Sequence, residues 1–466
     1  MKKGLRTRLA RAPAGVPLAF AAMAALAMPA AASAAAPAAR TATRPASALR
    51  QYTGRYRLTP HRVFNVTVQD GRLRVQLTGT PPVTVHARGH DEFFSNAAHA
   101  GISFKRGAGG KVDALVLHQH GQSARAPRIG AATAAPPATA VQALDARLDH
   151  ESRCLTAHPV HVKAPGGELY GVLTVPAGAK KAPGILLIPG NGPVDLNGDA
   201  PPVMTNHIYK QLAYALTCRG YAVLRYDKRG IARSTGDPRA VTLQSYRSDA
   251  LALAAALRHR PGVDPHALIL MGHSLGGLIA TFAAPKLDGA LRAVVLLEAP
   301  GVTMDKLVTR QTLRRARAEG ASKQQLARLE SKAGEFFQAL RESKGHTFKA
   351  PKDLQGFPLV QMFAPVAGLV RSEMAVHPAR RIARLKVPAL IVQGGADIQI
   401  GTGNAKRLHA ADPGSTLVTL PHMTHELIVA HGKPVDAARP QPGSPLDPAL
   451  VRRVAGWLDG VVKPAH

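Results

Sequence analysis

The stretch 267–280, Ala-Leu-Ile-Leu-Met-Gly-His-Ser-Leu-Gly-Gly-Leu-Ile-Ala, constrains the fold of this chain more than any other. An apolar run ends in the pentapeptide Gly272-His273-Ser274-Leu275-Gly276, and a small-residue helix pattern follows. That order reads as strand, sharp turn, helix. Glycines two positions either side of the serine remove the Cβ atoms that would collide where strand and helix meet. The turn predicts a strained backbone at Ser274, whose hydroxyl projects from the sheet edge at the positive end of the helix.

The chain around this motif alternates in type. Residues 160–162 and 170–175 read as an antiparallel pair joined at Gly166-Gly167. Strands over 185–188, 222–226, 268–271 and 294–297 then alternate with helices over 208–219 and 243–258. Alternation of this kind predicts a parallel sheet covered on both faces. From about 301 to 382 it stops, and the sequence turns helical and charged, with Leu326, Leu329, Ala333, Phe336, Phe337 and Leu340 in one apolar stripe. An insertion of this size predicts a helical cap over the strand ends. The sheet resumes at 389–392, followed by a helix over 404–410, a strand over 417–420 and a last helix over 448–458.

A serine hydroxyl is a poor nucleophile at neutral pH. It needs an imidazole to take its proton and an acid to orient that imidazole. Both partners follow Ser274 in the order serine, acid, histidine. The buried strand Ala389-Leu390-Ile391-Val392 runs into Gln393-Gly394-Gly395-Ala396-Asp397, which places Asp397 after a glycine turn at a strand end. After the next strand, Pro421-His422-Met423-Thr424-His425 puts His425 in a loop long enough to swing over the sheet, whereas His422 lies closer to the strand. Glu298, at the end of the preceding strand, is the fallback acid. A tetrahedral intermediate also needs two fixed N–H donors. Leu275, directly after the nucleophile, supplies one, and Asn191 in Pro189-Gly190-Asn191-Gly192-Pro193 supplies the other.

With these pieces in place, residues 155–466 resemble bacterial α/β-hydrolase-fold esterases and S9-like peptidases. The matching motifs are 189–195, 223–230, 272–276, 393–397 and His425. The resemblance implies an α/β-hydrolase fold with a helical cap insertion and acyl transfer from Ser274 to water, with no cofactor and no metal. The loop after Gly192 departs from the relatives' pattern, so Asp199 carries no assigned role. Asp227 and Arg229 read as a structural ion pair or turn.

Ahead of this domain the period changes to two. Phe64, Val66 and Val68 alternate with polar residues, Asp70-Gly71 turns the chain, and Leu73, Val75 and Leu77 alternate on the way back. Further strands over 83–88, 102–105 and 112–118 complete a small antiparallel β domain over 50–129. Tyr52-Thr53-Gly54-Arg55-Tyr56, Asp70-Gly71-Arg72-Leu73, Phe93-Phe94 and the segment 110–119 resemble the lipocalin-like domain appended to many exported β-lactamase-like hydrolases. There it usually follows the catalytic domain; here it precedes one. His118 and His120, at strand spacing, read as solvated side chains and not as a metal pair.

The N-terminus carries Lys2, Lys3, Arg6, Arg8 and Arg11, an apolar run over 16–28, Pro29 and a small-residue stretch ending in Ala32-Ser33-Ala34. This predicts a signal peptide over 1–34 and an exported protein, periplasmic or secreted. A flexible leader over 35–49 and an Ala/Pro-rich linker over 130–150 separate the parts, leaving 151–466 as the catalytic domain. In an oxidising compartment Cys154 and Cys218 either pair or stay as two buried thiols. The net charge of +31 would attract an anionic envelope polymer, although the basic residues are scattered as a residue-usage bias would scatter them. Aromatic residues at 4% and the lack of a nucleic-acid motif argue against nucleic acid, and no segment after the signal is apolar enough to span a membrane. The expected function is hydrolysis of a small carboxylic ester. Peptidase or amidase action on a short peptide-like substrate is the rival within enzymes, and non-catalytic envelope binding is the rival outside them.

Overall fold

The computed structural model describes residues 46–430 and 443–462, apart from 60–61, 70, 78–82, 96–99, 108, 120–121, 133–143, 145, 149, 201–205 and 288. The signal peptide expected over 1–34, most of the leader and His120 lie outside the described residues.

The N-terminal part is a closed antiparallel barrel of β1 (Gly54–Thr59), β2 (Arg62–Gln69), β3 (Arg72–Leu77), β4 (Val83–Ala87), β5 (Glu92–Ser95), β6 (Ala100–Arg106), β7 (Val112–Gln119) and β8 (Gln122–Gly130). Each strand pairs with the next, and β8 returns to β1 through Tyr56 opposite Arg128. Closure satisfies every strand edge. The period-two pattern sends Phe64, Val66, Leu73 and Val75 inward, where they meet Phe93, Ile102, Phe104 and Leu115. Tyr52 packs at 4.7 Å on Phe104 and 5.0 Å on Phe93, and its hydroxyl donates to Asp91 Oδ1 at 2.8 Å. Leu49, from the short helix Ala46–Leu49 in the stretch read as leader, is buried in the same core. His118 lies between Ser103 Oγ at 2.7 Å and Ser123 Oγ at 2.8 Å, so its polar atoms are met within the barrel wall.

The second part is a single eight-stranded sheet of β9 (Leu155–Ala164), β10 (Gly167–Pro176), β11 (Lys181–Ile188), β12 (Ala222–Tyr226), β13 (Gly262–His273), β14 (Leu291–Leu297), β15 (Ala389–Gly394) and β16 (Thr416–Leu420). Its order is β9-β10-β12-β11-β13-β14-β15-β16, antiparallel at β9–β10 and β10–β12 and parallel elsewhere. Successive residues of β11 enter opposite cores. Leu186 and Ile188 pack with the helices Leu243–Arg258 and Leu275–Ala283, while Ile185 and Leu187 pack with Ile208–Thr217 and Pro448–Val461. A strand buried on both faces has no polar side to show, which is why these segments read as continuous apolar runs.

The order reverses at β11, whose neighbours are β12 on one side and β13 on the other. At such a reversal the loops leaving the carboxyl ends of the two flanking strands, here β11 and β13, diverge, which is where sheets of this kind bind ligands. Between β14 and β15 the helices Met304–Ala318, Lys323–Glu342, Pro358–Phe363, Ala367–Met374 and Pro378–Ile382 form the inserted cap. Phe336 is its centre, ringed by Phe337, Phe348, Phe357 and Phe363. Of the predicted stripe, Ala333, Phe336, Phe337 and Leu340 are buried, whereas Leu326 and Leu329 are only half covered, because the first turns of that long helix run past the cap's core. Ser372 Oγ accepts from Leu243 N at 2.8 Å and joins the cap to the sheet-covering helix.

Leu144 and Leu148, within the stretch read as linker, are buried against Leu155 and Tyr214, so packing begins before residue 151. Cys154 and Cys218 form a disulfide with a Cα separation of 5.4 Å, resolving the two alternatives the sequence left open. Among the described residues no helix is long and apolar enough to cross a membrane.

Candidate active site

Ser274 stands between β13 and the helix Leu275–Ala283 with φ 54° and ψ −122°, a conformation L residues avoid. The neighbouring glycines permit it. A Cβ on Gly272 would strike the Gly276 carbonyl, and one on Gly276 would strike the carbonyl of Ile188 in β11. The elbow is thus pressed onto the end of β11 as well as onto its own helix. Ser274 N donates to Leu297 O at 2.8 Å, tying the turn to β14 on its other side.

The structure brings Asp397 and His425 together, with the His425 ring against that of His273 at the start of this turn. His425 Nδ1 lies 2.8 Å from Asp397 Oδ2, and both side chains are buried. Asp397 Oδ1 accepts from Gln399 N at 2.6 Å and Ile400 N at 2.8 Å, the amides of a turn that follows Gly394 and Gly395 at the end of β15. Burial pushes the Asp397 carboxyl up, but the charge and hydrogen bond of His425 and the backbone donor at Ile400 outweigh it and hold it well below the usual range. Burial also pushes His425 down, yet Asp397 and the nearby Glu426 prevail and hold the imidazole above its ordinary value. His422 is exposed on the same loop, away from this pair.

Three residues that sequence reasoning passed over link the loops. His273 is buried with its ring centre 5.0 Å from that of His425. Its Nε2 lies 2.8 Å from the His425 carbonyl oxygen, which can only accept, so Nε2 carries the proton. Nδ1 then accepts from Tyr209 Oη at 2.9 Å, and that same oxygen accepts from Gly190 N at 2.9 Å. Burial pushes His273 down to about 3, so the ring stays neutral and this chain of hydrogen bonds stays intact. Lys228 Nζ donates to Gly190 O at 2.7 Å and also to Gly192 O. The buried Lys228 and Tyr209 therefore hold the loop from both its carbonyl and amide sides. Only the DxRG-like spacing around Asp227 and Arg229 marked that region in the sequence, and it does not reveal a loop brace.

The loop itself lies against Ser274: a Cβ on Gly190 would be 3.2 Å from Ser274 Cβ. Gly190 N is engaged by Tyr209, and Gly192 N donates to the Asn191 side chain at 2.8 Å. Of these three consecutive amides, Asn191 N–H is the one without a hydrogen bond among the described residues. Leu275 is the first helical residue, where N–H groups have no intrahelical carbonyl to meet.

Asp227 and Arg229 do not pair with each other. Asp227 accepts from Leu196 N at 2.7 Å and Arg233 N at 3.2 Å, while Arg229 pairs with the buried Asp249 on the helix Leu243–Arg258. Asp199 receives His207 N at 2.9 Å and contacts its imidazole, which makes it a loop anchor. Glu298, the fallback acid, is fully buried with φ 50° and lies beside Asp397 instead of replacing it. Glu298, Asp397 and His425 offer oxygen and nitrogen atoms within 4.8 Å of one another, the one such cluster among the described residues.

Residues 204–430 match the family model described as serine aminopeptidase, S33, and residues 38–127 match a domain family of unknown function, DUF3471. Over 297 residues the chain is 27% identical to esterase EstD of Thermotoga maritima, covering 62% of this chain and 65% of that protein. The chain therefore spans less than two thirds of that relative. Thiohydrolase apmlB of Arthrinium phaeospermum is 33% identical over 132 residues, 26% of this chain and 39% of that one. Among solved structures, Est1E of Butyrivibrio proteoclasticus with ferulic acid bound aligns over 65% of this chain and 99% of its own, at 17% identity and a TM-score of 0.44.

Proposed function

The second domain of this chain is an α/β-hydrolase, and on that premise we propose that the protein is an exported serine hydrolase that cleaves carboxylic esters. The observation that carries the reading is the buried His425–Asp397 hydrogen bond, 2.8 Å long, with the His425 ring 5.0 Å from that of His273, the residue before a serine held at φ 54°. Ser274 Oγ attacks the acyl carbonyl as His425 Nε2 takes its proton. Asp397 fixes the Nδ1–H tautomer and offsets the charge on the imidazolium. The N–H groups of Asn191 and Leu275 hold the oxyanion. His425 then returns the proton to the leaving alcohol, and a water activated by the same imidazole releases the acid from the acyl-enzyme. The proposed steps draw on these side chains and backbone amides and call for no cofactor and no metal.

The match to a serine aminopeptidase family favours a second reading, cleavage of an amide or peptide bond by the same triad. The barrel and the basic surface are proposed as the parts that meet an anionic envelope polymer.

Labelling of the mature protein with a fluorophosphonate, alongside Ser274→Ala and turnover of p-nitrophenyl acetate, butyrate, octanoate and an aminoacyl anilide, tests these readings. Labelling at Ser274 with short-ester turnover is the expected result, and Ser274→Ala is expected to lower the rate at least about 10⁴-fold. Turnover of the anilide alone would replace the esterase reading with the peptidase one. A wild type that neither labels nor turns over any substrate would refute both, and salt-sensitive binding to an anionic polymer would then be the activity to pursue.

A further inference from the structure

Two carboxyl groups, Glu298 and Asp397, are buried side by side next to His425, and the proposed triad accounts for only one. Glu298 Oε1 accepts from Gly394 N at 2.6 Å, and Oε2 is met by the Gln393 side-chain amide. That same amide lies 3.4 Å from Asp397 Oδ2, so it spans the pair. Glu298 itself follows β14, the strand next to β15, and takes a left-handed backbone to turn its side chain back under the Asp397 loop. A backbone strained at a fully buried acid marks a position the surroundings enforce.

Two adjacent carboxylates cannot both stay ionised in a site with so little water. Asp397 has the imidazole and two backbone amides to hold its charge. Among the described residues Glu298 is paired with no lysine or arginine. The titratable groups around it are Asp397, Glu426 and, across Asp397, His425. Burial first, and then the neighbouring Asp397, raise the Glu298 carboxyl well above its ordinary value.

We propose that Glu298 is a positioning residue of the catalytic site, a carboxyl that keeps its proton throughout the working pH range and donates it in a hydrogen bond to Asp397. This rests on the triad proposed above. Its consequence is electrostatic: a donor on Asp397 draws off part of the negative charge that His425 would otherwise feel. The base is then less strongly raised than a bare aspartate would make it, and Asp397 is steered toward Nδ1.

The test is the pH profile of kcat/KM for p-nitrophenyl butyrate in wild type, Glu298→Gln and Glu298→Ala, with folding checked by thermal melts. Glutamine keeps both the acceptor for Gly394 N and a donor for Asp397. Gln393, whose Oε1 has no partner among the described residues, can turn its amide to meet the new N–H. Glu298→Gln is therefore expected to keep the wild-type acid limb within about 0.2 pH unit and kcat within about threefold, whereas Glu298→Ala raises the limb by about half a unit and lowers kcat about tenfold. Infrared difference spectra should show a protonated-carboxyl band in wild type that Glu298→Gln lacks. The opposite sign, a limb moved down in both variants, would mean that Glu298 is an anion and overturns the proposal. So would a Glu298→Gln enzyme as inactive as Asp397→Asn, or an alanine variant that overlays wild type. Fluorophosphonate labelling of wild-type Ser274 separates these outcomes from failure of the serine-hydrolase reading, since a wild type that does not label refutes both.

Discussion

Replacing Lys228 with methionine should damage catalysis without touching a reacting atom. Lys228 Nζ holds two carbonyls of the loop proposed to bind the oxyanion, Gly190 O and Gly192 O, which flank Asn191. Methionine fills similar space and donates nothing. Gly190 is buried, so its carbonyl loses its donor away from water, at a cost of about 1–3 kcal/mol. No larger penalty comes from stranding a partner charge. Burial raises the neighbouring cap residue Glu373 to about 8, which leaves it mainly neutral at pH 7. Stability should therefore fall by a few degrees in the melting midpoint. The kinetic effect should be larger. An oxyanion donor is worth about 10²–10³ in kcat when removed outright, and a loosened loop forfeits part of that, so about 10–100-fold is expected with KM little changed. Steady-state hydrolysis of p-nitrophenyl butyrate, normalised by fluorophosphonate titration of active sites, measures it. A kcat within twofold of wild type in a variant that melts normally would refute the idea that Lys228 holds the loop.

Two other changes probe the same framework. Glu373 is raised from 4.5 to about 8 and Lys228 lowered from 10.5 to about 7, each chiefly by burial. The folded state thus holds an extra proton on Glu373 between pH 4.5 and 8, and stability from that group is lost as pH rises through this range. It holds one fewer on Lys228 between 7 and 10.5, where stability is regained. Glu373→Gln removes the falling arm, so its melting midpoint relative to wild type should climb between pH 5 and 7; a difference that does not change with pH would contradict this. Tyr209→Phe removes both the acceptor for Gly190 N and the donor to His273. It should cost about 1–3 kcal/mol in chemical denaturation and lower kcat more than it raises KM; an unaltered kcat would show that the loop does not need this link.

Much of the candidate site's geometry was legible because its determinants are local. Gly272 and Gly276 must be glycine for the chain to turn from β13 into its helix within a few residues, and that requirement is written in consecutive positions. The glycine turn before Asp397 and the loop length before His425 are likewise read from one short segment each, and the structure brings both side chains to one place. The alternation of apolar runs with helical stretches specified a doubly covered sheet, since a strand buried on both faces can show no polar side. Period-two alternation specified the antiparallel domain, although not that it closes on itself. Closure depends on β8 finding β1 across the length of the domain.

What only the tertiary structure decided involves partners far apart in the chain. Arg229 chose Asp249 over the nearer Asp227 because the helix Leu243–Arg258 lies against that loop, and the backbone amides of Leu196 and Arg233 had already taken Asp227. Cys154 meets Cys218, and Leu148 meets Tyr214, because the segment before β9 folds back on the helix Ile208–Thr217. Glu298 became a neighbour of Asp397 because β14 and β15 are adjacent in the sheet despite the whole cap lying between them in sequence. The sequence alone determined which residue types stand at which strand ends, since backbone sterics and hydrophobic periodicity act over a few residues. Strand order decided which of those ends touch, and with it the protonation, bracing and charge balance of the site, because Coulombic and hydrogen-bonding partners are chosen by distance in space.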